Sequence, residues 1–453
     1  MTVSVTPAAP LADILMRDHF SVHDGALAVG GISVRTLAQL FGTPLYIYDA
    51  AVLRARYTAL AAAVEGFASV YYSIKANPNP AVANVFVAEG AGLEIASGAE
   101  FLLAKRAGCR PARMLFAGPG KSHAELDLAI RGGIAEVHLE SFDEIEMVAG
   151  IARDIGRTVP VALRINPAAA AQGGAMRMGG KPAAFGFDEE IMGEAAAAVL
   201  CHTSLTLSGV HLFAGTQILD PAVLLQQWSY GLDLACRLAD HIGAPLHRID
   251  LGGGLGIPYH AGDQALELAA LAQGVPALRQ RVAGDARLAG AEVLIEPGRY
   301  LAGPAGIYLM AVRSVKMSRG QRFVVADGGM HHQLAASGNL GQVIKRDYPI
   351  IAATRVGEAA RGETSLVGPL CTPLDTLGRQ TGLPDLAPGD LIAVLQSGAY
   401  GFSASPVGFL SHPTPAEVLV EGGQARLIRP AGSFGRPIVG LEDIEMLMAA
   451  AAE

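Results

Sequence analysis

Lys75 closes an apolar run, YYSIKANPNP. A lysine leaving a buried strand is costly to desolvate, which lowers its pKa and suits it to Schiff-base chemistry. Taken alone, it reads more plainly as a lysine snorkelling out of a strand end. Downstream comes GGGLG, where Gly252, Gly253 and Gly254 are adjacent. Such glycines let backbone N–H groups converge on an anion, although a tight turn is the plainer reading. EPGR runs from Glu296 to Arg299. A carboxylate in a dry site needs a partner. That partner is either an arginine, with Arg164 and Arg299 at hand, or the protonated nitrogen of a bound pyridine ring, which would then act as an electron sink for a carbanion.

Other candidates fall away. GPGKS (118–122) looks like the tail of a nucleotide-binding loop, but Leu115 stands where its first glycine is required. His331 and His332 are adjacent. Neighbours on a strand point to opposite faces, so a shared metal ion is not expected, and no metal site is assigned. The chain contains neither a Ser-His-Asp elbow nor an HExxH motif.

These residues need a scaffold. Short β-branched runs recur between Ala-rich stretches of helical periodicity. They are VYYSIKA (70–76), GLEIAS (92–97), RMLFAG (113–118), AEVHLES (135–141), VALRIN (161–166), SGVHLFAG (208–215), HRIDLGGG (247–254) and EVLIEPGR (292–299). Eight alternating βα units over about 250 residues predict a closed α/β barrel, (β/α)8, whose strand C-termini form the active face. Lys75, Glu94, Arg164, His211, Gly252 to Gly254, Glu296 and Arg299 all fall at such ends. After residue 300 the texture changes to strands joined by Gly, Pro and Asp turns, which predicts a mainly antiparallel β domain. The expected organisation is an N-terminal segment (1–44) partly joining the β domain, a barrel (45–300) and the β domain (301–453).

Composition agrees with this plan. The chain has 453 residues, more than one core of roughly 250–300 residues accommodates. Hydrophobic residues make up 51% and charged residues 17%, which excludes a disordered chain. A net charge of −8 argues against a nucleic-acid partner. The four cysteines are widely separated, which suits a reducing, cytoplasmic setting. The N-terminal residues lack a basic, apolar signal pattern, and no uncharged run reaches the roughly 20 residues of a membrane span.

Read in order, YYSIKAN, GLEIASGAE, GVHLFAGTQ, GGGLGIPY, EPGRYL, VGPLCTPLD and SGAYGFSASP resemble the fold-type III decarboxylases that use pyridoxal 5′-phosphate (PLP), the family of diaminopimelate and ornithine decarboxylases. FAGPGK, GIPYHAGDQ, HHQLAASGN and GPLCTPLD resemble the decarboxylase-like branch associated with bacterial exosortase gene clusters. The resemblance implies an alanine-racemase-like barrel and a homodimer with shared active sites. It implies that Lys75 holds PLP as a Schiff base with Glu94 beside it, and that Arg164 braces Glu296 on the pyridine nitrogen. Thr216, Gly252 to Gly254, Arg299 and Tyr400 would hold the phosphate. Cys371 would reach across the dimer to protonate the carbanion after CO2 loss. His211, Asp327, Thr372 and Asp375 would face the amino-acid substrate, with Asp375 coming from the partner chain.

Two positions depart from the family pattern. Phe213 stands where the ring-stacking residue is usually histidine; its face can still stack on the cofactor. Thr372 follows Cys371 where related enzymes carry an acid that pairs with the substrate's distal ammonium. Losing a charge-assisted bond costs about 1.5–3 kcal/mol. The expected substrate is therefore an L-α-amino acid with a modified or neutral distal end, one candidate being an aminoacyl group presented by an acyl carrier protein. A diaminopimelate decarboxylase proper and an amino-acid racemase are the alternatives. Glu296 argues against the racemase, because racemases of this fold pair the pyridine nitrogen with arginine. A catalytically silent homologue that only binds a partner is the remaining alternative, and the retention of Lys75, Cys371 and the glycine loop argues against it.

Overall fold

The computed structural model describes residues 10–168, 176–177, 182–213, 215–340, 342 and 345–432. The chain divides into two compact units.

One unit comprises Arg54–Ile257 and Ala265–Leu301. It holds eight strands, labelled here β1 (Ser69–Ser73), β2 (Gly92–Ile95), β3 (Met114–Phe116), β4 (Glu136–Leu139), β5 (Val159–Asn166), β6 (Leu205–Leu212), β7 (Arg248–Asp250) and β8 (Glu292–Ile295). Each pairs in parallel with the next, and β8 pairs with β1, so the sheet closes into the expected barrel. Local signals set the intervening helices. Ser122 and Glu125 form a capping box at the start of helix His123–Arg131. Asp220 and Pro221 open helix Pro221–Ile242, and Gly243, at φ 66°, closes it. Tyr71, Leu115 and Leu294 form a buried apolar layer.

Alternation along the strands decides what else points inward. On β4, Glu136 and His138 share one face while Val137 and Leu139 take the other. Register then aligns neighbours: His211 on β6 stands opposite Arg164 on β5 and Asp250 on β7. A row of ionisable groups therefore crosses three adjacent strands.

The second unit gathers the described residues up to Leu53, Pro258–Gln264 and those from Ala302 onward. Its sheet is mainly antiparallel. The long strand Gly306–Ser318 pairs antiparallel with Gln321–Ala326, Leu391–Val394 and Leu45–Asp49. Leu45–Asp49 also pairs in parallel with Ala416–Glu421. This corrects the expected start of the barrel at residue 45. All five residues of that strand are buried, and it lies inside the β sheet with a neighbour on each side. Leu45 and Ile47 pack with Ile307, Leu309 and Val418 in that unit's core. No helix among the described residues is long and apolar enough to cross a membrane.

Candidate active site

Lys75 does not extend β1 itself. The strand ends at Ser73, and Lys75 sits on a single 3-10 turn, Ile74–Ala76. The turn brings its Nζ 3.2 Å from both carboxylate oxygens of Glu94. Glu94 is 1% exposed and also accepts a short hydrogen bond from Ser73 Oγ. The lysine side chain is 41% exposed, so its amine is reachable from solvent. The ring of Phe213, the first residue beyond β6, lies with its centroid 5.9 Å from the same Nζ. That distance is within the range of an ammonium–aromatic contact.

The glycine loop follows β7 and is packed tightly on its neighbours. Gly252 has φ +69°, and a Cβ there would collide with the carbonyl of Leu212. A Cβ on Gly253 would lie 2.5 Å from the Glu296 carbonyl oxygen and 3.9 Å from the Phe213 ring. Gly254 presses on the Gly215 carbonyl, next to Thr216, and its own carbonyl accepts from Ile218 N at 2.9 Å. Glu296 N donates to the Gly252 carbonyl at 2.9 Å. Lys75, Phe213, the glycine loop and Glu296 thus form one continuous neighbourhood. Arg299 follows at the start of the short helix Arg299–Ala302.

The partners of Glu296 and Arg164 differ from the expected brace. Arg164 Nη1 donates to Glu140 at 2.7 Å. Glu140 also accepts from Gly118 N at 2.6 Å and from Gly186 N at 3.1 Å. Lys121, buried with Glu144, adds a second cation. Burial opposes the charge on Glu140, but Arg164 and Lys121 outweigh it and hold its pKa below the usual carboxylate range. Glu140 is thus the carboxylate that Arg164 meets. Glu296 instead lies beside His211, with Nε2 3.2 Å from Oε2.

That histidine belongs to a dry group. His138, His211, Asp250 and Glu296 are all buried, and one ligand atom from each lies within 4.8 Å of the others. His138 Nδ1, His211 Nδ1, Asp250 Oδ2 and Glu296 Oε1 have no hydrogen-bond partner. Burial pushes the His211 pKa down to about 4, so the ring is neutral near pH 7. Burial and the neighbouring Glu296 push Asp250 well above the carboxylate range, while burial opposes the charge on Glu296 and the His211 contact restores it. Two ionised carboxylates about 5 Å apart would repel by about 3 kcal/mol at an effective dielectric near 20, which favours one shared negative charge. Asp250, His138, Glu140 and Lys121 escaped the sequence reading. The signal was there for two of them: EVHL alternates polar and apolar, and Asp250 interrupts the apolar run of HRIDL.

In the β unit, Cys371 is exposed and Thr372 half-buried. Tyr400 holds a left-handed φ of 52°. Asp375 is 2% exposed and accepts backbone N–H bonds from Met330 at 2.6 Å and Leu370 at 2.9 Å. Asp327 accepts from Thr43 Oγ1 at 2.6 Å and Ala311 N at 2.9 Å. Both carboxylates brace loops and strands within the β unit. His331 and His332 lie in a turn rather than on a strand, and their rings face each other at 3.7 Å. His332 is held by Tyr308 and the Pro413 carbonyl.

A reachable amine beside a buried carboxylate, with an aromatic face, a glycine cradle and a second buried carboxylate at one barrel mouth, defines a barrel enzyme of carbonyl-cofactor type. Residues 51–303 match the family model for the pyridoxal-binding domain of pyridoxal-dependent decarboxylases. The chain belongs to that family. It is 38% identical over 403 residues to the L-glutamyl-[BtrI acyl-carrier protein] decarboxylase of Niallia circulans, covering 88% of this chain and 94% of the relative. It is 33% identical to the diaminopimelate decarboxylase of Aquifex aeolicus, over 92% of this chain and 96% of the relative. The solved structure of diaminopimelate decarboxylase from M. jannaschii in complex with L-lysine superposes with a TM-score of 0.85 at 26% identity, over 94% of this chain and 98% of that one.

Proposed function

We infer that this chain is a PLP-dependent decarboxylase that removes the α-carboxylate of an aminoacyl substrate held on an acyl carrier protein. The observation that carries the reading is the neighbourhood of Lys75: its amine sits beside Glu94, opposite Phe213 and next to a glycine loop that shares a hydrogen bond with Glu296. These residues fit PLP. The glycine cradle leaves no room for side chains, and Glu296 offers a buried oxygen without a partner.

When bound, PLP supplies the electron sink that accepts the bonding pair as CO2 departs. The protein does the rest. Lys75 Nζ anchors the cofactor, and Glu94, fixed by Ser73, keeps that amine aimed at the barrel mouth. Phe213 would offer its aromatic face to the cofactor. Gly252 to Gly254 would hold the phosphate with Thr216 and Arg299. Glu296 keeps a proton on the pyridine nitrogen, with His211 at its side. Arg164 acts through Glu140 rather than through Glu296. Cys371 protonates the substrate Cα, supplied across a homodimer as the resemblance implies. Asp327 and Asp375 shape the substrate side through the loops they brace. The four cysteines are free thiols, which supports a cytoplasmic setting.

Thr372 favours a carrier-bound substrate over a free diamino acid, since it cannot form an ion pair with a distal ammonium. The relative from Niallia circulans, named for a carrier-bound glutamyl substrate, supports the same reading. Free diaminopimelate is the second reading, favoured by the relatives named for it. CO2 release from a panel of free and carrier-bound amino acids separates the two. Preference for a carrier-bound aminoacyl group is expected; full activity on free diaminopimelate alone would overturn the substrate assignment.

A further inference from the structure

Asp250 has no role in the roles set out above, yet it touches both ends of the cofactor cradle. Its Oδ1 accepts the Gly252 N–H at 2.8 Å, fixing the first residue of the glycine loop. Its Oδ2 has no partner and faces the group that contains Glu296, whose Oε1 is also unpartnered. The residue is fully buried, at 0% exposure. The charged and titratable groups around it are Glu296 beyond β8, His211 on β6, and His138 on β4 with Nε2 3.9 Å from Oδ2. Glu136 lies one turn of the pleat further along β4, but it is already matched by His138 at 3.2 Å and by Arg248 at 3.4 Å. No cation stands between Asp250 and Glu296 among the described residues.

We propose that Asp250 is a positioning residue that stays protonated and shares its proton with Glu296, tying the nitrogen end of the cofactor site to the phosphate loop. A dry pair of facing carboxylates carries one charge more easily than two. The upward push on the Asp250 pKa from burial and Glu296 agrees with this arrangement. The pair then holds a single negative charge, and that charge sits on Glu296, where a pyridinium needs it. Asp250 also makes the loop and the carboxylate one mechanical unit, since Glu296 N is itself bonded to the Gly252 carbonyl at 2.9 Å. The pyridinium part of this inference rests on the proposed function; the shared proton does not.

An amide mimics a protonated carboxyl. In Asp250→Asn the oxygen can keep the Gly252 N–H while the amide donates to Glu296. Asp250→Ala loses both. The test uses the full chain in two measurements. The first is infrared spectroscopy, comparing wild type with Asp250→Asn: a carboxylic-acid C=O band that shifts in D2O and disappears in the variant is expected near neutral pH. Absence of that band from the folded wild type overturns the proposal, whatever the variants do. The second is PLP titration followed by absorbance. Asp250→Asn is expected within about 3-fold of wild type, and Asp250→Ala weaker by about 5- to 150-fold, as leaving buried polar groups unpaired implies. Equal losses in both variants overturn the proposal. So does a stoichiometric divalent metal ion in the purified wild type that is lost in Asp250→Asn, since these four side chains would then be ligands. If the infrared band is present but the wild type takes no PLP, the cofactor reading fails and the shared proton stands.

Discussion

Replacing Gly253 with alanine tests how closely the phosphate loop is fitted to Glu296. The backbone at Gly253 does not require a left-handed conformation, so the effect is steric. The new Cβ would lie 2.5 Å from the Glu296 carbonyl oxygen, where an ordinary contact begins near 3.4 Å. The loop and the end of β8 must therefore part by about 0.9 Å. Overpacking of this kind costs about 1–3 kcal/mol. If cofactor binding needs the original spacing, that cost appears as a loss of about 5- to 150-fold in PLP affinity. The assay is PLP titration into the apoprotein, read by absorbance. Gly284→Ala is the control: it ends helix Leu268–Gly284, and its Cβ would meet nothing within 4 Å. Unchanged affinity in Gly253→Ala, with the control also unchanged, would refute the claim that loop and carboxylate form one cradle.

Three further outcomes are expected. Glu140→Gln leaves Arg164, whose side chain is 10% exposed, without its carboxylate, while Lys121 keeps Glu144; chemical denaturation at neutral pH should show a loss of about 3–5 kcal/mol. Burial holds the folded His211 near pKa 4 against about 6.5 when unfolded. The unfolded chain therefore binds a proton that the folded chain refuses, so this contribution is complete above pH ~6.5 and fades as the pH falls towards 4, by about 3 kcal/mol. His211→Gln should flatten the stability profile in that window, and a profile as steep as wild type counts against the assignment. Thr372→Glu restores the acid that a distal ammonium would meet; kcat/KM for free diaminopimelate should rise by about 10- to 150-fold, corresponding to 1.5–3 kcal/mol, and no rise would show that Thr372 does not face the substrate.

The barrel was legible in the sequence because each strand is short, apolar and bounded by turn residues. All eight runs coincide with a strand. The strand Leu45–Asp49 was assigned to the wrong unit because its both-face apolar pattern looks the same in a barrel and in a sheet interior. The gathering of Lys75, Gly252 and Glu296 beyond the strand ends was visible once the strands were placed. Pairwise partnership was not. Arg164 is equally compatible in sequence with Glu140 and Glu296, and only the register of β4, β5 and β6 settles that the first is its mate. Asp250 was hidden for a similar reason. Its value depends on Glu296, which is 46 positions away in sequence and adjacent only through the β7–β8 pairing.

The central claim is that Lys75 Nζ carries the cofactor at the mouth of the barrel. Borohydride reduction of the PLP-loaded protein, followed by peptide mass spectrometry, tests it most directly. A single pyridoxyl adduct on Lys75, absent from Lys75→Ala, is the predicted result. An adduct on the buried Lys121 or on any other lysine, or no adduct in protein shown to be folded and supplied with PLP, would contradict it.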